Sequence, residues 1–409
     1  MRHYICTALL VSLPSVVGAE PLSFNAALER AAVDAPSLQG RAASVSAARS
    51  ASVAAGQLPD PTLDVGIQDF PVTGPDAGRL NRDNFTMQKI GLSQKFTNPA
   101  KRHAAVALAT AEIGVAEADN RVEARNVRLQ TALAWVDLYY AEKRLAQLAL
   151  LDTSLRDLQS TVSARLASGS ARPSQALEPD QLHAQVNDRR SELMAEVAKA
   201  RALLGRFTGQ PQAEVAGLPP TPEINREKLI AGVPDLPSLR ALDAQTVVAD
   251  GTTRLAQADK RPDYTVSASY GRREPNYGDL VSIGVSIDLP LFAKHRQDPK
   301  IAAAASMAAR TRYDRQAAER EVLANLEADL ADHMMHHQRL ENAQHTLVPL
   351  AEKRAVLDRD SYAAGKTDLG TALLSALALA EAEVDALARE AEVTRDAIRI
   401  NLTYGEDNQ

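Results

Sequence analysis

The chain has 409 residues, of which 45% are apolar and only 4% are aromatic, and its formal net charge at pH 7 is -6. A mildly acidic chain is not expected to bind nucleic acid, and so few aromatic residues are typical of long helices packed side by side rather than of a compact globular core. The single cysteine, Cys6, excludes a disulfide framework.

Residues 1–19 have the pattern of a secretory signal peptide. Arg2 and His3 precede an apolar stretch over residues 5–17, which ends just before Gly18 and Ala19. We therefore expect export and a mature chain that begins at Glu20 and has lost Cys6. No later segment reaches the roughly 18 to 20 continuous apolar residues of a membrane-spanning helix, so any membrane crossing is expected to use strands.

Short matches at nearly constant spacing indicate a tandem duplication. Residues 36–38, Pro-Ser-Leu, recur at 237–239, and residues 90–93, Ile-Gly-Leu-Ser, recur as Ile-Gly-Val-Ser at 283–286. Each copy is predicted to run helix, strand, loop, strand, very long helix, tight turn and helix. The predicted organisation is a signal peptide over 1–19, a first repeat over 20–210, a proline-rich linker over 211–236, a second repeat over 237–405 and a tail over 406–409.

Two helices are predicted at the start of the first copy, over residues 22–56 and 100–166. The longer helix contains one glycine and no proline, and at 1.5 Å per residue it would be about 100 Å long. Heptad spacing predicts a coiled-coil seam in its later half, formed by Leu148, Leu151, Leu155, Leu158 and Val162. The second copy is expected to kink at Pro349, and its matching leucines are Leu340, Leu347, Leu350 and Leu357.

Alternation with period two predicts four strands, two in each copy. In the second copy, residues 264–270 and 281–289 place apolar side chains on one face and small or polar side chains on the other. In the first copy the pattern covers residues 63–68 and 90–93. Apolar residues before Lys89 have the opposite parity to those after it, so a bulge is expected there.

Four strands cannot close a barrel, and an open sheet edge in lipid would leave peptide groups without hydrogen-bond partners. Several copies of the chain are therefore expected to share one barrel, with apolar residues facing lipid and small polar residues facing a water-filled lumen. The residues predicted to line that lumen include Asp64, Ser93, Ser267, Ser286 and Asp288.

Together these features resemble the TolC-type outer-membrane factor family over essentially the whole mature chain. The markers are the duplication, the strand pairs, Arg-Leu-Ala-Ser-Gly at 165–169, Ser-Tyr-Ala-Ala-Gly at 361–365 and the closing Leu-Thr-Tyr-Gly at 402–405. The resemblance implies an α+β membrane protein of the outer membrane, a homotrimer with a twelve-stranded β-barrel and a periplasmic α-barrel. It also implies docking onto a periplasmic adaptor, or membrane fusion protein, and an inner-membrane RND transporter.

Three stretches, at residues 70–74, 87–102 and 289–297, resemble the heavy-metal branch of that family. This branch serves pumps for copper and silver or for cobalt, zinc and cadmium. A duct of the same fold for drugs, other organic compounds or type I protein secretion is one alternative. A periplasmic coiled-coil adaptor or scaffold without a channel is another, but it leaves the alternating strands unexplained.

The two helix-to-helix turns are candidate docking tips for an adaptor. The plainer interpretation is that their glycines supply the left-handed cap of a long helix, and both interpretations can hold together. The family often places acidic residues at the tunnel mouth, but here those positions are Thr371 and Leu374, which leaves Asp368 as the gate candidate. The predicted tip residues are Arg165, Leu166, Gly169, Tyr362 and Gly365.

A histidine and methionine cluster on the second long helix is the candidate metal site. His333 and His337 are one turn apart and can share a face, and imidazole with thioether suits copper or silver ions. The corresponding positions of the first copy are apolar and aromatic, so packing is the favoured interpretation of the methionines. The candidate ligands are His333, Met334, His336 and His337.

Basic residues at 101–103 and 294–296 follow the second strand of each pair. We interpret them as a basic girdle where barrel meets helices rather than as a device that steers anions. The sequence contains no phosphate-binding loop, zinc-binding helix motif or nucleophile elbow. Neither enzymatic activity nor a bound cofactor is therefore expected.

Overall fold

The computed structural model describes residues 21–80, 82–167 and 177–405, with the backbone alone for residues 152–167. The predicted signal peptide, Gly169 and the predicted tail lie outside these residues. The first half of the chain forms α1 Phe24–Asp34, α2 Pro36–Ala55, β1 Thr62–Gln68, β2 Met87–Phe96, α3 Pro99–Ala167 and α4 Glu178–Thr208. The second half forms α5 Arg226–Gly232, α6 Pro237–Ala258, β3 Tyr264–Arg272, β4 Leu280–Ile287, α7 Gln297–Asn342, α8 Val348–Ala363 and α9 Leu369–Tyr404.

The order of the elements confirms the predicted α+β class, with long helices and two strands in each half. The predicted helix over 22–56 is instead two helices, because the chain is extended at Ala35, with φ -66° and ψ 118°. Pro36 starts the second of them. A proline disfavours helical geometry in the residue before it, which explains the break.

The described chain folds into two compact units, and each takes segments from both predicted repeats. The helical unit consists of the chain up to Ala35, Asn126–Asn225 and Glu327–Thr403. The sheet unit consists of Pro36–Arg125, Arg226–Leu326 and the chain from Tyr404. Helices α3 and α7 contribute to both units.

Trp135 on α3 is the centre of an apolar cluster in the helical unit. Its side chain is fully buried, and its Nε1 donates a hydrogen bond to the carbonyl oxygen of Leu22 at 2.8 Å. Phe24 meets the indole edge-on at 5.6 Å between ring centroids, and Tyr139, one turn along α3, stacks on it at 5.5 Å. Apolar burial and a hydrogen bond therefore both fix the start of the described chain against α3.

A second cluster in the same unit joins α3, α4, α8 and α9. Its larger members are Leu148, Leu151, Leu182, Val186, Leu193, Tyr362, Leu369, Leu373 and Val384. Burial of Leu148 and Leu151 confirms the start of the predicted coiled-coil seam. The remaining seam residues of α3 lie among those for which the backbone alone is described.

The predicted seam of the second copy is not buried in the protomer, since Leu350 and Leu357 are 60% and 57% exposed. A π-helical turn over Ala343–Leu347 precedes Pro349, and the N–H of Val348 donates to the carbonyl oxygen of Ala343. This wider turn rotates all later residues relative to an unbroken α-helix. A heptad repeat counted from residues before this turn therefore places Leu350 and Leu357 on the wrong face of the helix.

Among the described residues, the four strands form one antiparallel sheet in the order β1-β2-β3-β4. The β2 and β3 strands belong to different sequence copies, so the sheet joins the two repeats. Ile90 of β2 lies opposite Val65 of β1 on one side and Tyr270 of β3 on the other. All three are apolar, as the predicted alternation requires.

The bulge predicted near Lys89 is wrong, because the β1–β2 register runs unbroken along the whole of β1. Met87 simply lies on the face opposite to Ile90. A Cβ added to Gly271 of β3 would come within 2.6 Å of the Met87 sulphur. The glycine therefore leaves the space that the methionine fills.

A buried polar junction connects strands to helices in the sheet unit. Asp263 precedes β3 and is 9% exposed, and its Oδ1 accepts hydrogen bonds from the backbone N–H and the Nδ2 of Asn98, at 2.9 and 3.2 Å. Asn98 in turn caps α3, since its Oδ1 accepts from the N–H of Lys101 at 2.8 Å. Burial alone would raise the pKa of Asp263, but the hydrogen bonds from Asn98 and the nearby lysine charges outweigh it and hold that pKa below its usual value.

Replacing Trp135 with alanine is expected to lower the free energy of unfolding by about 3–5 kcal/mol, because it leaves a cavity among buried rings. Denaturant unfolding followed by far-ultraviolet circular dichroism would measure the change. Glu29→Ala, at an exposed position on α1, should change the value by no more than about 0.5 kcal/mol. Equal stability of the two variants would contradict the assigned core.

Replacing Asp263 with asparagine is expected to destabilise the protein at pH 7 by about 1–3 kcal/mol, because Asn98 loses a charged acceptor. The folded-state pKa of Asp263 is lowered, so its contribution is present above the unfolded value of about 3.9 and is lost as pH falls through the folded value. Unfolding midpoints measured between pH 6 and pH 3 should therefore fall less in Asp263→Asn than in the unmodified chain. Asp60→Asn, in the exposed loop before β1, serves as the control.

Candidate functional site

One face of the sheet, here called the apolar face, is exposed across all four strands. Ile283 of β4 is 78% exposed and Val65 of β1 is 74% exposed. Continuous apolar surface of this extent marks contact with lipid or with another protein. No helix within the described ranges is apolar over a stretch long enough to cross a membrane. The apolar face consists of Leu63, Val65, Ile67, Ile90, Leu92, Phe96, Tyr264, Val266, Ala268, Tyr270, Val281, Ile283, Val285 and Ile287.

The opposite face, here called the polar face, consists mostly of small and hydrophilic residues. Residues that lie directly opposite one another on the four strands form one rung of this face. The residues predicted to line a lumen, Asp64, Ser93, Ser267 and Ser286, all lie on this face. Three successive rungs are Thr62, Ser93, Ser267 and Gly284, then Asp64, Gly91, Ser269 and Ser282, then Gly66, Lys89, Gly271 and Leu280.

Asp288, the last residue predicted to line the lumen, directly follows β4 and is ion-paired. Its Oδ2 lies 3.0 Å from the Nζ of Lys95, and the same ammonium group lies 3.5 Å from Oδ2 of Asp263. The Asp288 side chain is nevertheless 67% exposed. The sequence does not reveal this pairing, because Lys95 and Asp288 are 193 residues apart and belong to different copies.

The turn after α8 contains the tip residues Tyr362 and Gly365. Gly365 is exposed with φ +70°, and the N–H of Lys366 donates to the carbonyl oxygen of Ser361 at 2.9 Å. The glycine thus forms the left-handed cap that the plainer interpretation expects. Tyr362 is only 6% exposed and packs in the cluster with Leu369, so its side chain is not at the surface of the protomer.

The other tip residues are those at positions 165, 166 and 169. Arg165 and Leu166 lie in the last turn of α3, where the backbone alone is described. Gly169 lies outside the described residues. A docking role for these three residues stays a prediction.

The gate candidate Asp368 caps α9, since its Oδ1 accepts a hydrogen bond from the N–H of Thr371 at 2.8 Å. Glu178, the first residue of α4, belongs to no sequence motif and lies against the same turn. Its two carboxyl oxygens are 3.2 and 3.4 Å from the position that a Cβ on Gly370 would take. Burial, and then the charge of Asp368, raise the pKa of Glu178. Acids from the two copies therefore meet at the start of α9, where a helix N-terminus favours negative charge.

His336 of the candidate metal cluster belongs to an ion-pair network between α7 and α9. Its Nδ1 lies 2.7 Å from Oδ2 of Asp396. Arg399 then links Asp396, at 3.2 Å, to Asp329 of α7, at 2.5 Å. This network gives His336 a structural role that the sequence did not reveal, because the partners on α9 are 60 residues away along the chain.

The other members of the candidate cluster are His333, Met334 and His337. The rings of His333 and His337 are 6.3 Å apart between centroids, and burial lowers the pKa of His333. Met334 is 63% exposed and Met335 is 41% exposed, so the favoured packing interpretation does not hold for Met334 within the protomer. Within the described ranges, no group of three His, Cys, Asp or Glu side chains is placed to hold a metal ion.

Two residues of the predicted basic girdle are engaged inside the sheet unit. Lys101 pairs with Asp259 at 2.6 Å, and Arg102 donates through Nε to the carbonyl oxygen of Gly56 at 2.9 Å. After β4, the exposed side chain of Phe292 precedes the basic residues at 294–296. Apolar and basic groups are therefore neighbours at that end of the sheet.

No family model and no curated protein matches the sequence. Several solved structures match its fold. The outer membrane protein VceC from Vibrio cholerae is 17% identical, with a TM-score of 0.75 over 94% of this chain and 97% of VceC. The open state of the outer membrane channel MtrE from Neisseria gonorrhoeae is 15% identical, with a TM-score of 0.73 over 93% of this chain and 88% of MtrE. A structure of CusC is 14% identical, with a TM-score of 0.69 over 93% of this chain and 92% of CusC.

These likenesses cover nearly the whole length of each protein, so they include both the sheet and the long helices. The face-to-face contrast of the sheet and the long helices of both halves were predicted from the periodicity of the sequence, and the fold is the one that the resemblance implied. The chain has the fold of the TolC-type outer-membrane channels.

Proposed function

We propose that the chain is the outer-membrane duct subunit of an efflux system. The observation that carries this proposal is the sheet, with one exposed apolar face, one small polar face and edge strands that have a single neighbour each in the described protomer. Three copies that pair β1 of one protomer with β4 of the next would form a closed barrel of twelve strands. Closure would supply partners for every edge peptide group, which lipid cannot do.

In this proposal the polar face lines a water-filled pore and the apolar face contacts lipid. The long helices would form the periplasmic part, which docks onto an adaptor and an inner-membrane RND transporter. Similarity to the outer membrane protein VceC and to the channels MtrE and CusC supports the duct role. The duct would be passive, with energy supplied by the inner-membrane partner.

We propose heavy-metal cations as the cargo, because residues 70–74, 87–102 and 289–297 resemble the heavy-metal branch of the family. The histidine and methionine cluster adds no support, because in the described part of the chain no three His, Cys, Asp or Glu side chains are placed to hold a metal ion. Ducts for organic compounds or secreted proteins would have the same fold, so cargo needs a separate test. The scaffold alternative is disfavoured, since it gives the exposed apolar face no role.

Single-cysteine labelling tests the orientation of the sheet. Cys6 lies in the predicted signal peptide, so Ser267→Cys on the polar face and Val285→Cys on the apolar face would each carry one thiol in the mature chain. In intact outer membranes a charged, membrane-impermeant maleimide is expected to label Ser267→Cys and to leave Val285→Cys unlabelled. Denatured samples of both variants should react equally, which controls for thiol integrity.

Labelling of Val285→Cys as fast as Ser267→Cys in intact membranes would show that the apolar face is not covered by lipid. Recovery of the unmodified protein as a water-soluble monomer would remove the duct proposal as a whole.

Deletion of the gene tests the cargo. Loss of tolerance to at least one of copper, silver, zinc, cobalt or cadmium is expected, with recovery when the gene is restored. Unchanged growth on all five metals, together with lost tolerance to organic toxicants, would assign the duct to organic compounds instead.

A further inference from the structure

Lys89 lies on the polar face between two glycines. It is opposite Gly66 of β1 and Gly271 of β3. A Cβ at Gly66 would meet nothing within 4 Å, and the space over Gly271 is occupied by Met87. Lys89 is therefore flanked by glycines on both neighbouring strands and is the only charged residue of its rung, which also contains Leu280.

The charge of Lys89 is not neutralised by a neighbouring carboxylate. Across the described ranges of the chain, its ammonium group has no carboxylate oxygen within 4.0 Å. Lys95 differs, although it lies on the same strand and the same face, because Asp288 and Asp263 pair with it at 3.0 and 3.5 Å. Of these two lysines, only Lys89 presents an uncompensated positive charge to the space in front of the polar face.

Asp64 provides the opposite charge on the adjoining rung, where it lies opposite Gly91. Asp64 and Lys89 both line a shallow cleft on this face, together with Gly91 and Ser269. The two charges therefore occupy different levels along the strands. Any solute that moves along this face meets them in succession.

We propose that Lys89 is a determinant of ion preference, which slows cations relative to small anions at its level of the pore. This inference rests on the proposed function, because it requires the polar face to line a water-filled lumen. Three protomers would place three ammonium groups around the lumen at one level. Low-dielectric walls focus the field of such a ring on a passing ion.

The test is the permeability ratio of potassium to chloride, measured from reversal potentials of the purified full-length protein in planar bilayers under a potassium chloride gradient. Lys89→Gln removes a positive charge and should raise this ratio about two-fold or more. A unit charge roughly 8 Å from an ion in water changes the Boltzmann population of that ion by about this factor. Lys89→Glu should raise it further. Both effects should shrink as ionic strength approaches about 1 M, where the screening length falls to roughly 3 Å.

Two matched variants separate charge from shape. Lys89→Arg keeps the charge, so its permeability ratio should stay close to that of the unmodified channel. Lys89→Glu combined with Asp64→Lys keeps the net charge of the polar face, and its ratio should return most of the way from the single Lys89→Glu value. Trimer integrity on native gels would show that each variant assembles.

Open channels with the same permeability ratio in Lys89→Gln, Lys89→Glu and the unmodified protein would overturn this inference and leave the duct proposal standing. A ratio that changes as much in Lys89→Arg as in Lys89→Gln would also overturn it, because shape rather than charge would then be responsible. Absence of any conductance from the unmodified protein would overturn both proposals.

Discussion

Each peptide N–H and C=O of a strand needs a hydrogen-bond partner, and this requirement limits the surroundings in which the sheet is stable. In the described protomer β1 and β4 have one neighbour each, and the same strands carry the most exposed residues of the apolar face. Water could satisfy the free edges but would not cover that face. Lipid could cover the face but would not satisfy the edges. In the proposed barrel, pairing with further copies of the chain would satisfy the edges, and lipid would cover the apolar face.

The polar junction at Asp263 shows how the two sequence copies depend on each other. Asp263 belongs to the second copy, whereas Asn98 and Lys95 belong to the first, and all three groups interact in the sheet unit. The start of α3 therefore depends on a residue that precedes β3. Each copy alone would leave a carboxylate or an amide buried without its partner, which is costly. The repeats are consequently parts of one structure rather than two domains.

The sequence was most informative where the period was clean. Strands β3 and β4 were predicted almost to their ends, because alternation there is uninterrupted. The bulge at Lys89 was wrong because parity along one strand says nothing about an empty space on the next strand, which Gly271 provides for Met87. The pairing of Asp288 with Lys95 and the contact of Glu178 with the α9 turn were missed because they join distant segments. Only knowledge of which elements are neighbours reveals such contacts.

The π-helical turn before Pro349 makes the two halves of the protomer unlike in one further respect. It changes the angular phase of α8, so that Leu350 and Leu357 are exposed, whereas Leu148 and Leu151 of α3 are buried. Duplication would otherwise give equivalent surfaces in pairs. A partner that approaches the described protomer along α8 would therefore meet exposed leucines, whereas Leu148 and Leu151 of α3 are already covered by the other helices of their cluster.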